Sequence, residues 1–404
     1  MASFSSSSIT YTKSIDQLDH YGKCDECGKS LSDFHWCPLC QNKAFKREFG
    51  KWTSGNTNID KIIQQTQLEV NKSNDYLEWI PFMDFDNVEY LTQGAFSTIY
   101  SGCWIDGPRR TWNEESDDWI RNGPTRCVLK RIENSQTISQ YYLDNVLKHN
   151  KCLRGGPLAD YLGITRDPTG CYMFVMKFYK GNLYQYLDKE MAHLRWRDIL
   201  KILLSITDGL ERIHEYKLYH GNLHGGNLLF ENNPDFITRI ADVGLHGPAD
   251  RTASEIYGVL PYVAPEVLNG NEYTQASDVY SFGIIMWTLS ACIRPFSKIP
   301  HDLELLTKIC NGLRPGVVEG TPEVYIKLMK RCWDQESNNR PTVTELNDII
   351  RNWITTSNHN TNSTISIQFD IAEKKRKLNS DHIIFMNRII HPKAIYTSQL
   401  LNFK

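Results

Sequence analysis

No apolar run in this 404-residue chain reaches the roughly eighteen residues that a membrane span needs. "FGIIMW", Phe282–Trp287, is typical of the longest, so no span is expected. Net charge is equally scarce. Forty-five basic residues against 47 acidic ones leave −2, which removes the bulk attraction that holds nucleic-acid and membrane-surface proteins to their partners. The opening "MASFSSSSIT" has neither a basic start nor an apolar h-region, so no secretory signal is expected. The 12 histidines are scattered, with no H-E-x-x-H pattern among them, and there is no internal repeat. Cysteine is plentiful, but a disulfide framework is not what its spacing suggests. Four of the 11 are clustered and the rest dispersed, which suits a reducing compartment and one metal site. A cytoplasmic location, or a nuclear one, is the expectation.

Apolar residues make up 41% and charged residues 23%, ordinary globular values, and the length accommodates two lobes or more. Residues 1–20 are Ser-rich and expected to be disordered. Residues 21–45 carry the cysteine cluster, and 46–84 read as a helical linker with amphipathic spacing from Ile59 to Val70. From Pro81 the texture changes. "VEYLTQGAFSTIYSGCW" alternates as strand, turn, strand, "RCVLKRI" reads as a third strand, and "CYMFVMKFY" as a later one. A long polar insertion with two tryptophans, "IDGPRRTWNEESDDWIRNGPT", separates the second and third strands. Trp104, Trp112 and Trp119 are expected to brace it. "ISQYYLDNVLKHN", "RWRDILKILLSITDGLERIHEY" and "SDVYSFGIIMWTLSACI" have helical spacing. Strands first and helices second imply a small sheet-rich lobe followed by a larger helical one. From about Thr356 to residue 404 the chain reads as a polar tail with a basic run, "KKRK" at Lys374–Lys377. Such a run is a nuclear-import or acidic-partner site, or more commonly a solvated helix face.

"CDECGKSLSDFHWCPLC" sets Cys24, Cys27, Cys37 and Cys40 in two C-x-x-C turns. Each turn presents two sulfurs on one side, and two turns close a tetrahedron around a soft divalent ion. Four thiolates leave no open position, so the Zn²⁺ expected here is structural. A redox-active C-x-x-C is the competing reading.

Seven further stretches, in order, carry the chemistry: "TQGAFSTIY", "CVLKRI", "YHGNLHGGN", "IADVGL", "APE", "SDVYSFG" and "NNRPT". Their order and gaps resemble the protein kinase superfamily over roughly residues 85–355, the tyrosine-kinase-like branch more than others. The whole layout, cysteine knuckle included, resembles the expanded kinase families of arbuscular mycorrhizal fungi. The resemblance implies an α+β bilobal protein-kinase fold, with a β-rich N-lobe and an α-helical C-lobe, preceded by a small zinc-binding module.

It also implies roles. Gly94 and Phe96 match the middle glycine and aromatic tip of the lid over the ATP phosphates, while Thr92 and Ser97 stand where its outer glycines belong. Lys130 matches the third-strand lysine that holds the α- and β-phosphates. Its usual glutamate partner on the following helix falls on Asn145. Asp144 lies about 100° round the helix and points elsewhere. In the catalytic loop His220 is the structural histidine, and Gly221 replaces the arginine that receives an activation-loop phosphate. Asn222 replaces the aspartate that takes the substrate proton, and an amide has no basic oxygen at neutral pH. Asn227 and Asp242 match the two Mg²⁺ ligands. Val243 replaces the usual phenylalanine, and Glu266 is expected to pair with Arg340, with Asp278 a further buried anchor. Thr252, Ser254 and Tyr257 are the phosphosites the activation segment offers. The metal ligands stay and the base is gone.

The expectation is therefore a pseudokinase that binds ATP with Mg²⁺ and serves as scaffold or allosteric regulator of signalling proteins, an active kinase among them. Alternatives are a slow Ser, Thr or Tyr protein kinase, and a rigid spacer whose knuckle and tail dock partners.

Overall fold

The computed structural model describes residues 21–401 apart from 71, 73–74, 154–155, 190–193, 232–235, 245–246, 250–254, 360–361 and 379–389. The disorder expected of 1–20 and the phosphosites Thr252 and Ser254 lie outside the described residues.

The chain begins with the cysteine turns and α1 (Pro38–Glu48), which starts with proline, needing no N–H partner at a helix's first turn. The four sulfurs lie within 4.8 Å of one another. Cys24 and Cys40 Sγ are 3.8 Å apart and Cys27 and Cys37 Sγ 3.5 Å. Zinc–sulfur bonds of about 2.3 Å in a tetrahedron place sulfurs about 3.8 Å apart, so the cluster fits a small zinc-binding module. The backbone N–H of Lys29 draws the Cys27 thiol down to about 7, whereas burial pushes Cys37 and Cys40 up. A cation at the centre would override that spread by deprotonating all four. α2 (Thr57–Leu68) is capped by the Asn56 side chain, which accepts from the N–H groups of Asn58 and Ile59. Its Ile59, Ile62 and Ile63 recur at helical spacing and are all buried.

A six-stranded sheet follows in the order β1-β7-β8-β6-β3-β2. Its strands are β1 (Glu78–Trp79), β2 (Phe85–Gln93), β3 (Ser97–Trp104), β6 (Thr125–Ile132), β7 (Tyr161–Arg166) and β8 (Tyr172–Lys177). Only the short β1–β7 pairing is parallel. It needs Gly163, where a Cβ would come within 2.3 Å of the Glu78 carbonyl oxygen. The polar insertion is a hairpin, β4 (Arg109–Asn113) with β5 (Asp118–Arg121), and it docks on α1. Trp112 and Trp119 meet edge to face at 5.3 Å, and Trp119 packs on Phe45 of α1 at 4.7 Å. Gln41 accepts the Trp112 N–H, and Glu78 ion-pairs with Arg109 and Arg121. Trp104 meets the insertion through Arg121, whose guanidinium lies 5.6 Å over its ring. It sits at the end of β3 with Phe85 and Leu129 in a separate cluster.

α3 (Gln140–Leu153) lies between the sheet and α2, sharing the cluster of Ile59, Ile132, Tyr142 and Val146. The large lobe comprises β9 (Gly181–Asn182), α4 (Leu183–Lys189), α5 (Trp196–Glu215), β10 (Leu228–Phe230), β11 (Thr238–Ile240), β12 (Tyr257–Gly258), and α6 (Pro265–Leu268) to α9. Those last helices are α7 (Gln275–Ala291), α8 (Leu303–Cys310) and α9 (Glu323–Cys332). α5 buries Ile199, Leu203, Ile206, Leu210 and Ile213, and α7 is buried nearly all round. That makes α7 the central strut of the lobe. Glu266 and Arg340 form the expected pair, bidentate at 2.7 and 2.8 Å.

The stretch from Thr356 is not the loose polar segment its composition suggests. α10 (Val343–His359) runs through it, and α11 (Thr364–Leu378) packs Phe369 and Ala372 into the large-lobe core. Nor is the basic run wholly solvated. Arg376 donates to the carbonyls of Leu194, Ser290 and Leu289, two of them at the C-terminal end of α7, where unpaired carbonyls favour a cation. Residues 390–401 return along the cleft and end in β13 (Gln399–Leu400), paired antiparallel with β12.

Two outcomes follow. Elemental analysis of purified protein is expected to find one zinc per chain, with Cys37→Ser falling well below one and losing the near-ultraviolet signal of the tryptophans docked beneath the module. Arg340→Met strands the half-buried Glu266 carboxylate, 17% exposed, and is expected to cost about 2–3 kcal/mol in urea unfolding, most of it recovered by adding Glu266→Leu.

Candidate functional site

Between the lobes lies a cavity of about 320 Å³. Every residue nominated for nucleotide or for catalysis borders it: Gly94, Phe96, Lys130, Asn222, Asn227 and Asp242. Each is carried there by a local rule. β2 and β3 form a hairpin whose turn is closed by the Gly94 N–H to the Ser97 carbonyl, 2.8 Å, and this is the lid. Phe96 at its tip rests edge-on against Tyr257, 5.0 Å between ring centres. Central β6 has β3 on one side and β8 on the other, so Lys130 is flanked by Ile99 and Phe174 and its side chain is only 8% exposed.

A buried ammonium needs a partner. On α3, Asn145 has no charge to offer, and its Nδ2 donates to the Tyr141 carbonyl at 2.9 Å. Asp144 is turned away and takes a bond from Gln140. Lys130 Nζ instead meets Asp242 Oδ1 at 2.5 Å. The ion pair therefore reaches forward to the large lobe, and among the described residues of α3 none pairs with Lys130, as Asn145 leads one to expect.

The catalytic-loop residues are held from below. Asp278, near the start of α7, accepts the backbone N–H groups of His220 and Gly221 at 2.8 and 2.9 Å, and His214 Nε2 at 2.9 Å. Gly221 sits at φ 72°, a conformation that glycine adopts at no steric cost. His220 donates from Nε2 to the Ala241 carbonyl and accepts the Asn222 N–H at Nδ1. That arrangement requires the neutral ring, and burial lowers its pKa in the same sense. Behind the loop a Cβ on Gly225 would meet the Tyr184 ring at 2.5 Å, so the backbone can lie flat on that ring only as glycine.

The hairpin β10–β11 then sets the two oxygen donors side by side. Asn227 immediately precedes β10, Asp242 follows β11, and the Ala241 N–H closes on the Asn227 carbonyl at 2.9 Å. Asn227 Nδ2 donates to the Asn222 carbonyl, 3.0 Å, so its Oδ1 is the atom it could offer a metal. A carboxylate and a carboxamide oxygen suit a hard cation such as Mg²⁺. Val243 is fully buried in the large-lobe core, consistent with a packing role.

Two features escaped the sequence reading. His224 lies within the quoted loop, is buried against Tyr184, and has its pKa driven to about 3 by burial, so it is a neutral ring on the cavity wall. It was legible as a histidine two residues from Asn222 and was passed over. The second is that Tyr396, Thr397 and Ser398 also line the cavity. Ser398 Oγ donates to Asn222 Oδ1 at 2.9 Å. No local motif announces that contact across 176 residues of chain.

Comparison with known proteins agrees with this geometry. The family model described as "Protein tyrosine and serine/threonine kinase" matches residues 85–350. In Dictyostelium discoideum, "Probable serine/threonine-protein kinase pats1" is 32% identical over 334 residues, covering 79% of this chain and 10% of that protein. "Stress-activated protein kinase alpha" of the same organism is 28% identical over 235 residues, covering 54% of this chain and 36% of that one. The chain thus spans about a third or less of the length of these relatives. Among the described residues, no helix is long and apolar enough to cross a membrane. With a bilobal domain, an interlobe cavity and the ordered motifs all in place, the chain belongs to the protein tyrosine and serine/threonine kinase family.

Proposed function

We propose that this kinase-fold protein is a pseudokinase of the tyrosine-kinase-like branch. In this reading it binds ATP with Mg²⁺, transfers phosphate at a vestigial rate if at all, and acts as a scaffold or allosteric regulator of signalling proteins. The observation that carries the proposal is Asn222. Its carboxamide occupies the position from which a carboxylate accepts the substrate proton, and it already holds a hydroxyl there. A neutral amide accepts that hydrogen bond but not the proton.

Kinases of this family use ATP and Mg²⁺. Here Lys130 would face the phosphates, Asn227 and Asp242 would hold the metal, and Gly94 and Phe96 would cover both. The metal would neutralise charge on the transferring group; the protein's own part is to orient it and keep water out. Losing the base costs about 10² to 10⁴ in rate. From the ~1–100 s⁻¹ of a competent kinase, and with Lys130 drawn to Asp242 rather than anchored to α3, turnover is expected at about 10⁻³ s⁻¹ or below. Gly221 removes the receiver of an activation-loop phosphate, so control by phosphate at that segment is not part of the proposal. The zinc module is assigned a docking or bracing role, and 11 cysteines without a disulfide support a cytoplasmic setting.

Thermal shift with Mg²⁺·ATP is expected to stabilise the parent, by about 2.7 kcal/mol at a hundredfold excess over Kd, and to leave Lys130→Ala unmoved. Intact-mass measurement over about the first minute with ATP and Mg²⁺ or Mn²⁺ is expected to find well under one phosphate transferred per chain to added protein, as a rate of about 10⁻³ s⁻¹ or below dictates. Sustained transfer that vanishes in Lys130→Ala would replace this reading with that of a slow but active protein kinase.

A further inference from the structure

The segment Ile390–Leu401 runs along the interlobe cavity and borders it at Tyr396, Thr397 and Ser398. β13 adds an antiparallel strand to β12, with Tyr257 opposite Leu400 and Gly258 opposite Gln399, and the Leu401 N–H bonds the Ile256 carbonyl at 2.9 Å. Recognition by strand addition takes its affinity from main-chain bonds and its register from side-chain pockets. Here both are present. Tyr396 is 8% exposed. Its hydroxyl donates to the Pro295 carbonyl at 2.8 Å, and its ring packs edge-on against His301 and Tyr184 at 4.9 and 5.6 Å. The backbone of the segment is tied as well, by the His301 N–H to the Lys393 carbonyl and the His391 N–H to the Ser297 carbonyl. Leu401, also buried, joins the large-lobe core.

Fixing the segment at Tyr396 and at β13 leaves Thr397 and Ser398 on the cavity, and one of their hydroxyls bonds the catalytic loop. It belongs to Ser398, and it donates to Asn222 at 2.9 Å. Tyr396 points its own hydroxyl away to Pro295, so it is not the group presented. A segment that merely braced the lobe would need its buried Tyr396 and Leu401; it would not need a serine hydroxyl on the one side chain that faces a kinase's acceptor atom.

We propose that Ile390–Leu401 is a tethered pseudosubstrate: it fills the protein-substrate groove of its own chain and seats Ser398 in the acceptor position. The inference rests on the reading of Asn222 as the residue at the base position. It adds a second obstacle to transfer, independent of the first. The missing carboxylate blocks the chemistry and the docked strand blocks access. The two fit each other, since a neutral amide holds the Ser398 hydroxyl without activating it and the complex does not consume itself.

Restoring the base separates the parts. With ATP and Mg²⁺, Asn222→Asp is expected to form a bond from Ser398 Oγ to the γ-phosphorus as the bond to the ADP oxygen breaks, the hydroxyl proton passing to the new carboxylate. Mass spectrometry should find one phosphate, on Ser398, at a rate at least about a hundredfold above the parent and independent of protein concentration. Adding Ser398→Ala should abolish it. Docking is read without chemistry by amide hydrogen exchange on the full chain. Gln399 to Leu401 should exchange slowly in the parent, and Tyr396→Ala should release them.

Fast exchange of those amides in the parent would overturn the proposal. So would phosphate on an added peptide but not on Ser398, or a rate that rises with protein concentration, which would make the occupant a second copy. An inert Asn222→Asp with slow exchange would uphold the docked strand and count against Asn222 as the missing group, a failure of the functional reading alone.

Discussion

The buried carboxylate of Asp278 accepts two consecutive backbone N–H groups, from His220 and Gly221, together with His214 Nε2. With 1% of its surface exposed, it has no water to fall back on, and the loop has no other partner for those amides. The whole floor of the cleft is registered through this one side chain. His220 passes the register on to Ala241 through its ring, Ala241 is bonded to Asn227, and Asn227 is bonded to Asn222. A loop that would be mobile by composition is thus placed as firmly as the helix beneath it. With the Glu266–Arg340 pair beside it, this run of bonds fixes the shape of the cleft whatever its turnover.

Above that floor, the charge balance of the site is unusual for a nucleotide cleft. Lys130 is the buried cation and Asp242 its partner at 2.5 Å, which ties the two lobes directly. A glutamate on α3 would have drawn the ammonium back into the small lobe and left Asp242 free for a metal. With Asn145 there, a cation at Asp242 would compete with the lysine for the one anionic partner it has among the described residues. Phosphate groups would supply the replacement. In the proposed reading, nucleotide and metal would therefore be coupled at this site more tightly than a preformed lysine–glutamate pair would make them.

What could be read from the sequence and what could not divide along sequence distance. The strands from Phe85 to Trp104, the strand carrying Lys130, the loop at His220–Asn227, the metal position at Asp242 and the cysteine turns are all local patterns, and each sits where its motif indicates. The Glu266–Arg340 pair was legible only through the resemblance, because nothing local links residues 74 apart in sequence. Composition misled at the far end. "TSNHNTNSTIS" is polar enough to read as loose chain, yet α10 runs into it and α11 follows, since Phe369 and Ala372 supply an apolar stripe sufficient to dock. The insertion between β3 and β6 was readable as polar and aromatic, but its partner was not. Trp112 and Trp119 find Phe45 and Trp36 through packing alone. The seating of Ser398 on Asn222 is the extreme case, a contact made by topology and announced by no pattern.

The way the cysteine module is mounted has a mechanical side. The β4–β5 hairpin that grips α1 leaves β3 at Trp104 and enters β6 at Thr125. From Thr125 to Lys130 is five residues along one strand, about 17 Å at roughly 3.3 Å per residue. The module and the lysine thus stand on the same short ribbon, one at its outer end and one at its inner. That ribbon is clamped on both sides, by β3 along its whole length and by β8 from Cys127 to Arg131, so a load on the knuckle is shared by the sheet before it meets the ammonium.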